Sequence, residues 1–441
     1  MNPDRSVSVY GDSSVTPYDG GDDTLVGVLN LSSAAVDAIT VTGPGTGLGG
    51  LDGDGLCSFG VAGCPFGPTG YEGPGTSLVT KPSLPDDAET DFTGGLAQNV
   101  FTYFSLEGAL TSAQLKGREG HIGGAPYAGL GDSFSSGEGA SSFLNGTDTG
   151  INNCHRAATT TAWEPEVSVA SGKALDFGAC SGAVVEDFYR LGDPARHTGG
   201  EVPQIDRVST QGTTQLVTLT VGGNNLGFPN ILNDCVEIDR SHLLAPGRPG
   251  CADRDQDLFL KALKALVVGR KAGCLALPGL DLDTNKPGFD CSDQPVPALS
   301  TLYRDIAGRL AQNGTLVVAG YPQLFGYKFS LSGTFSRECK VGFVGAIAKS
   351  DVLWMNGLAP AINATINSQV ARAAALVHQT RPDVTIKFVS VDEQFQTHRL
   401  CDTGTQWIHG LELNGTKPSS LSFHPTDEGQ NAYGTAVKAA L

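Results

Sequence analysis

Short apolar runs occupy the first quarter of the chain, and clusters of Gly, Asp and Pro separate them. Runs of this length that contain β-branched and aromatic residues are typical of strands, and none has helical spacing. They are SVSVY (6–10), TLVGVLNL (24–31), AITVTG (38–43), TSLVT (76–80) and NVFTYFSLE (99–107). The pattern predicts a small β-sandwich-like domain over residues 1–111, followed by a polar linker over 112–126.

From Tyr127 to the end of the chain, strand-like runs alternate with helical ones. The strands are expected in YAGLGDS (127–133), ALDFGACSG (174–182), QLVTLTVGGNN (215–225), TLVVAGYPQLF (315–325) and VTIKFVSVDEQF (384–395). Helical spacing occupies 259–272 and 359–379, and a last helix is predicted to begin at Pro425. This alternation predicts an α/β domain over 127–441, with a parallel sheet between helices.

Charge and hydropathy exclude several classes of partner. The 29 Lys and Arg residues against 46 Asp and Glu residues give a net charge of −17, and the sequence has no Lys/Arg-rich run that could neutralise phosphates. Nucleic acid is therefore not expected as a partner. No apolar stretch of about 18 residues is present either, so no transmembrane segment is predicted.

Ten cysteines in an acidic chain with only two methionines favour an oxidising compartment and a secreted protein. The sequence has no C-x-x-C pair of the zinc type, and disulfide bonds are the expected use. Because Cys57 and Cys64 are isolated from the other cysteines, they are predicted to pair. The first residues lack the features of a signal peptide, so a signal removed before Met1 is expected.

Four sites that follow predicted strands or precede the last helix carry candidate chemistry, because ligands of parallel sheets bind beyond the carboxyl ends of the strands. Ser133 lies in GDSFSSGEGA, Gly182 in ACSGAVVED, Asn224 in VGGNN and His424 in SFHPTDEGQ. A serine nucleophile needs a base within hydrogen-bond reach and donors for the oxyanion. These residues supply all three, with Ser133 as nucleophile, His424 as base, and the Ser133 N–H, the Gly182 N–H and the Asn224 amide as oxyanion donors.

Through these four ordered blocks, residues 127–441 resemble the SGNH (GDSL) hydrolases, and within them the secreted, disulfide-bonded actinobacterial esterases and lipases. The resemblance implies a flavodoxin-like three-layer α/β/α fold, a Ser133–His424 dyad and no metal or cofactor. It also supports the pairs Cys154–Cys180 and Cys339–Cys401. Cys235, Cys251, Cys274 and Cys291 are left to pair among themselves.

The sequence departs from the family pattern at two positions. The third block is commonly G-x-N-D, and here Asn225 replaces the acid. The Asp that often precedes the histidine by three residues is Leu421 here, and the backbone carbonyl of Leu421 is expected to orient the imidazole instead. Asp427 is expected to stabilise the first turn of the last helix rather than to support His424.

Several other residues have simpler interpretations. A second GDS, ending at Ser13, lies between strand-like runs, so it is not expected to be a nucleophile. Asp132 is expected to tie the nucleophile turn, and Asp52 and Asp54 to form a turn rather than a calcium loop. The stretch from Cys235 to Cys291 is expected to form either a lid or a disulfide-bonded surface insertion. Loop or surface positions are expected for the remaining histidines considered as bases, namely His155, His242, His398 and His409.

The sequence therefore predicts a secreted serine hydrolase that cleaves carboxylic esters through an acyl-enzyme. A polysaccharide deacetylase is the alternative within enzymes, and a non-catalytic cell-wall or carbohydrate-binding protein is the alternative outside them. The substrate is expected to be an acyl ester, a lipid or an acylated polymer. Contact with a cell-wall component or polysaccharide is expected through the N-terminal domain.

Overall fold

The structure of the chain is a computed structural model. It describes residues 8–11, 21, 23–31, 35–43, 45–57, 66–80, 87–117, 125–144, 147–148, 152–157, 162–190, 201–209, 212–232, 235, 250–270, 296–326, 349–414 and 417–441. Within these ranges, every helix is too short or too polar to cross a bilayer.

The chain divides into two compact units. The first unit contains Met1–Ala125 and Leu144–Asn152, and the second contains Pro126–Phe143 and Asn153–Leu441. The predicted linker over 112–126 falls within the first unit as far as Ala125. Its first residues belong to the β structure, because Leu115 is buried and the two residues after it pair with a strand of the first unit.

The first unit has two groups of antiparallel strands. In one group, β1 (Thr24–Leu29) pairs with β5 (Phe101–Leu106). The other group is a four-stranded sheet in the order β3-β4-β2-β6, formed by β3 (Thr76–Thr80), β4 (Asp87–Leu96), β2 (Val36–Thr42) and β6 (Lys116–Gly117). Val36, Phe92, Phe104 and Leu106 are among the buried side chains of its core.

Strand β4 was missed in the sequence, although it lies inside the four-stranded sheet. Its residues DAETDFTGGL are rich in Asp and Gly, which are depleted in strands. The alternation is nevertheless present, since Ala88, Thr90 and Phe92 are buried while Glu89 and Asp91 between them are half-buried. The run predicted at 6–10 forms no strand over its described residues 8–10.

The second unit contains a five-stranded parallel sheet. Its strands are β7 (Tyr127–Gly131), β8 (Leu175–Phe177), β9 (Leu216–Thr220), β10 (Thr315–Ala319) and β11 (Thr385–Val389). Their spatial order is β11-β10-β9-β7-β8, and each neighbouring pair is parallel. The strands are therefore ordered 2-1-3-4-5 within this unit, which is the flavodoxin-like order. Ligands of such sheets bind where the order reverses, here between the ends of β7 and β9.

The α-helices of the second unit include α1 (Ser133–Ser136), α2 (Trp163–Ser171), α3 (Cys251–Val268), α4 (Leu299–Arg309), α5 (Lys349–Val377), α6 (Asp392–Phe395) and α7 (Asp427–Ala439), and residues 228–232 are also helical. Helix α2 packs against α7, and α5 packs against α3, α4 and β11.

The last helix begins two residues after the predicted Pro425. Thr426 is its N-cap, and the Thr426 side chain accepts a hydrogen bond from the Gly429 N–H at 3.3 Å. A two-stranded hairpin, β12 (Leu413–Asn414) and β13 (Lys417–Pro418), precedes this helix.

Two complete disulfide bonds lie within the described residues. The predicted Cys154–Cys180 bond is present, and Cys235 pairs with Cys251, which resolves one of the pairings that the sequence left open. Cys57 and Cys401 are also disulfide-bonded, but their predicted partners Cys64 and Cys339 lie outside the described residues, as do Cys274 and Cys291. Of the stretch expected to form a lid or an insertion, the described part is mainly helix α3.

Candidate active site

Ser133 lies at the turn between β7 and α1, as the sequence predicted. It is the first residue of α1, and the Asp132 side chain caps this helix by accepting a hydrogen bond from the Phe134 N–H at 3.2 Å. Only 6% of Ser133 is exposed. The turn places the hydroxyl beyond the carboxyl end of the sheet, where the fold positions ligands.

The structure brings Ser133 together with His424, although 291 residues separate them in the sequence. The Ser133 Oγ lies 2.8 Å from the His424 Nε2. His424 comes just before α7, and the Thr426 cap fixes the start of that helix. A hydroxyl and an imidazole at this distance form the hydrogen bond that a nucleophile and its general base require.

Burial lowers the pKa of His424 below its ordinary value, because a buried imidazolium loses its hydration. Two neighbours oppose this effect, the carboxylate of Glu138 and the backbone carbonyl of Ser420. The balance leaves His424 neutral at pH 7. A neutral imidazole can accept the serine proton.

The second ring nitrogen of His424, Nδ1, is buried and makes no hydrogen bond to any described residue. The Leu421 carbonyl accepts the backbone N–H of His424 at 3.1 Å in a tight turn over residues 421–424. The contact predicted between this carbonyl and the ring is absent, because the His424 Nδ1 makes no hydrogen bond to any described residue. Ser420 is instead the residue whose carbonyl favours the protonated ring, although it lies outside ordinary hydrogen-bond geometry.

One candidate oxyanion donor, Gly182, lies in the loop that follows β8. Gly182 has a φ of 79°, a left-handed conformation that favours glycine. Within the described residues, the backbone N–H groups of Ser133 and Gly182 donate to no protein acceptor. The Asn224 Nδ2 donates to the carbonyl of Ala183 at 2.9 Å. This bond ties the Asn224 amide to the residue after Gly182.

Asn225, which departs from the family pattern, is buried and uses both ends of its amide. Its Oδ1 accepts the Val185 N–H at 3.0 Å, and its Nδ2 donates to the Glu186 carboxylate at 3.0 Å. An Asp could accept the first hydrogen bond but could not donate the second. The amide at this position therefore matches the acidic neighbour Glu186.

Tyr321 is a site residue that sequence reasoning missed. It follows β10, its hydroxyl donates to the Asp132 carboxylate, and it accepts the Gly223 N–H at 3.1 Å. Burial raises the pKa of Asp132 to about 6, although the hydrogen bonds from Tyr321, Thr220 and Phe134 act against that rise. As expected from the sequence, Asp132 ties the turn rather than facing the base. The position of Tyr321 directly after a buried strand was the only signal in the sequence.

His155 lies on a loop, which is one of the two expected positions, and its side chain is largely buried beside Glu138. Its Nδ1 lies 2.6 Å from the Glu138 Oε2, and the two side chains are 11% and 0% exposed. Burial alone would raise the pKa of Glu138. The hydrogen bond from His155 and the nearby imidazoles of His155 and His424 reverse this effect and lower the pKa below its ordinary value. The sequence carried the signal, since Glu138 lies in the same block as Ser133.

The remaining candidates from the sequence are not part of the Ser133–His424 pair. His398 stacks on Trp407, with ring centroids 3.6 Å apart. The His409 Nε2 lies 2.9 Å from the carbonyl of Gly139, while the His409 Nδ1 lies 2.9 Å from the Glu412 carboxylate. Ser13 and His242 lie outside the described residues.

One group of acidic side chains in the described residues has spacing suited to a cation. The carboxylates of Asp23, Asp54 and Glu107 in the first unit lie within 4.8 Å of one another. The hydroxyl of Tyr71 lies 2.5 Å from Glu107, 3.1 Å from Asp52 and 3.2 Å from Asp54. The Tyr71 hydroxyl therefore contacts both acidic residues of the predicted turn, Asp52 and Asp54.

The chain is similar to bacterial lipases and esterases. A lipase of Streptomyces rimosus is 28% identical over 308 residues, which cover 69% of this chain and 82% of the relative. An esterase of Streptomyces scabiei is 27% identical over 266 residues, which cover 59% of this chain and 68% of the relative. The crystal structure of the extracellular Streptomyces rimosus lipase matches with a TM-score of 0.46 and 25% identity, covering 71% of this chain and 99% of that one. No protein-family model matches the chain.

Proposed function

Since the chain belongs to the SGNH (GDSL) hydrolases and to their actinobacterial lipase and esterase branch, we propose that it hydrolyses carboxylic esters through a Ser133–His424 dyad. The observation that carries the proposal is the 2.8 Å contact between the Ser133 Oγ and the His424 Nε2. The curated relatives are a lipase and an esterase, and this activity agrees with the geometry.

In the proposed mechanism, the Ser133 Oγ attacks the ester carbonyl carbon while the His424 Nε2 takes the hydroxyl proton. The resulting oxyanion accepts hydrogen bonds from the Ser133 N–H, the Gly182 N–H and the Asn224 amide. The intermediate collapses to an acyl-enzyme, and His424 returns the proton to the departing alcohol. Water, deprotonated by His424, then attacks the acyl carbon, and the bond from that carbon to the Ser133 Oγ breaks as His424 returns the proton to Oγ. The carboxylic acid is released and the free Ser133 hydroxyl is restored.

The first unit has a separate proposed role. Its two groups of antiparallel strands support a β-sandwich-like accessory domain. The proposal is that this domain contacts a polysaccharide or cell-wall component and brings the hydrolase to its substrate. The disulfide bonds support secretion, because such bonds persist in oxidising environments.

The test is hydrolysis of p-nitrophenyl esters from acetate to palmitate by the full chain and by Ser133→Ala. We expect turnover by the wild type and loss of at least about 10³-fold in the variant, because no nucleophile remains. Ser13→Ala is the matched control, since it changes the serine of the other GDS and is expected to keep full activity. Equal turnover by wild type and Ser133→Ala would contradict the dyad. Absence of turnover on every ester would contradict the proposed activity and favour a binding role.

A further inference from the structure

A buried acid–histidine pair lies beside the Ser133–His424 pair and has no role in the proposed chemistry. The pair is Glu138 and His155, joined at 2.6 Å. The ring of His155 stacks on Phe143, with centroids 4.4 Å apart and planes 11° apart, so packing fixes its orientation. A buried carboxylate has a large desolvation cost unless it is paired. The buried position of the Glu138 carboxylate beside the Ser133–His424 pair therefore requires an explanation.

The segment that carries Glu138 is packed directly against His424. Gly139 has a φ of 94°, and a Cβ at this position would lie 2.3 Å from the Pro425 carbonyl and 3.2 Å from the His424 Cβ. The Gly139 carbonyl is within hydrogen-bond distance of the His409 Nε2, and the His409 backbone N–H donates to the His424 carbonyl at 2.8 Å. These contacts hold the backbone of the acid and the backbone of the base in one arrangement.

A disulfide bond holds the other side of the pair. Cys154 precedes His155 and is bonded to Cys180, and the Ser181 N–H donates to the Cys154 carbonyl at 2.9 Å. His155 is therefore attached to the loop that carries Gly182. Both members of the pair are fixed by elements that also fix the Ser133–His424 site.

We propose that Glu138, held in place by His155, is an electrostatic positioning residue that stabilises the protonated form of His424 during ester hydrolysis. This inference rests on the proposed function. The Nδ1 of His424 has no hydrogen-bond partner among the described residues, so the acid of a triad has no counterpart at that atom. The imidazolium that forms when Ser133 loses its proton is partly buried, and a fixed negative charge where solvent screening is reduced stabilises it. Glu138 acts through space instead of through a direct hydrogen bond.

His155 keeps the acid ionised. The hydrogen bond from its ring contributes to the lowered pKa of Glu138, so the carboxylate stays charged at pH 7 despite its complete burial. The other ionisable groups that influence His424 are the imidazoles of His155 and His409, both of which disfavour its protonation. The exposed Glu412 pairs with His409, and Asp427 and Glu428 lie in the first turn of α7. Among these groups, Glu138 is the carboxylate that raises the pKa of His424.

The test replaces Glu138 with Gln, which keeps the shape and removes the charge. We expect kcat for a short-chain p-nitrophenyl ester to fall about 10- to 100-fold with KM within about twofold, because the charge acts on the transition state. We also expect the acidic limb of kcat/KM to move to lower pH, since the pKa of His424 falls when the carboxylate is removed. Glu138→Asp retains the charge and is expected to restore part of both effects. Glu166→Gln, which removes a carboxylate paired with Lys438, is the matched control and is expected to change neither.

A second readout separates this inference from the proposed activity. Selective ¹⁵N labelling of histidine, with the His424 signal assigned from a His424→Asn variant, gives the pKa of the ring without any substrate. A chain with no esterase activity would overturn the proposed function, whereas a lower His424 pKa in Glu138→Gln would still support the electrostatic contact. A fall in kcat with an unchanged His424 pKa, and no recovery in Glu138→Asp, would assign Glu138 a structural role and overturn the inference.

Folding is checked by thermal melting of each variant. Should Glu138→Gln fail to fold, His155→Gln replaces it as the informative variant, because it keeps a hydrogen-bond donor beside Glu138 and retains the carboxylate. The His424 pKa is then expected to equal or exceed that of the wild type. A lower value while ¹³C NMR of labelled glutamate shows Glu138 still ionised would overturn the inference, since the negative charge has not been removed. A lower value with Glu138 neutral would support it, because the charge has then been lost.

Discussion

Tyr321 donates a hydrogen bond to Asp132 across the end of the strand that separates them. Tyr321 follows β10 and Asp132 follows β7, while β9 lies between these two strands in the sheet. The same hydroxyl of Tyr321 accepts a hydrogen bond from the Gly223 N–H, which lies in the loop after β9. One phenol therefore joins three consecutive strand ends, and two of them carry Ser133 and Asn224.

We expect Tyr321→Phe to lower kcat about 10-fold and the free energy of unfolding by about 1–3 kcal/mol, because the buried Asp132 and the Gly223 N–H each lose a partner. Steady-state kinetics and denaturant unfolding measure both effects. Tyr303→Phe is the matched control, since Tyr303 is also buried and its hydroxyl has no hydrogen-bond partner among the described residues. Equal effects of the two substitutions would show that the Tyr321 hydroxyl does not hold these loops.

The raised pKa of Asp132 predicts a stability change with pH. The group has a pKa of about 6 in the folded chain against an ordinary value of 3.8, so the folded state binds more protons between these pH values. Its contribution to stability therefore falls as pH rises from about 4 to about 6, by an amount on the order of 3 kcal/mol. We expect Asp132→Asn to gain stability relative to the wild type across this range. Parallel stability curves for the two proteins from pH 4 to pH 7 would contradict this account.

Local sequence pattern selected the candidate residues that lie at the ends of predicted strands or just before a predicted helix. Ser133 and Asn224 follow apolar runs that form β7 and β9, and His424 precedes the last helix, so local pattern was enough to select them. Other contacts at the site join residues from separate sequence blocks, such as Tyr321 with Asp132 and His155 with Glu138. Such pairings depend on strand order and side-chain rotation, which a single sequence does not specify.

The carbonyl near His424 illustrates the same limit at short range. The carbonyl of Leu421 was expected to orient the ring, but it accepts the His424 backbone N–H, and the ring Nδ1 has no hydrogen-bond partner among the described residues. The carbonyl of Ser420, one residue earlier, is the one that favours the protonated ring. Strand β4 is a related case, because its acidic residues masked an alternation that tertiary packing uses.

We expect Asn225→Asp, which restores the acid common in the family, to be harmful in this chain. It would place a second carboxylate about 3.0 Å from Glu186 and remove the donor of that hydrogen bond. Like charges at this distance repel, so we expect a loss of about 1–3 kcal/mol in the free energy of unfolding and a larger loss of activity, relative to the wild type, at pH 8 than at pH 5. The double variant Asn225→Asp, Glu186→Gln restores a donor and is expected to recover most of both. A higher melting temperature for Asn225→Asp alone would contradict this explanation.

The two described disulfides are expected to differ in their effect on catalysis. Cys154–Cys180 and Cys235–Cys251 close loops with sequence separations of 26 and 16, so removing either costs about 3–4 kcal/mol by chain entropy. Only the first bond joins His155 to the Gly182 loop. We therefore expect replacement of Cys154 and Cys180 by Ala to lower kcat for folded protein, and replacement of Cys235 and Cys251 to act mainly on the melting temperature. Equal kcat values for the two double variants at a temperature where both are folded would remove the link between the first disulfide and the site.

The pH dependence of hydrolysis should follow His424. Burial lowers the pKa of its ring, and the base must be neutral to accept the Ser133 proton. We expect kcat/KM to stay constant as pH falls through about 6.5, the ordinary histidine pKa, and to drop only at lower pH. Asp132 titrates near pH 6 and could produce a similar limb. The pH profile of Asp132→Asn separates the two groups, because a limb caused by His424 remains in that variant. An acidic limb that disappears in Asp132→Asn would assign the titration to Asp132 and contradict the assignment to His424.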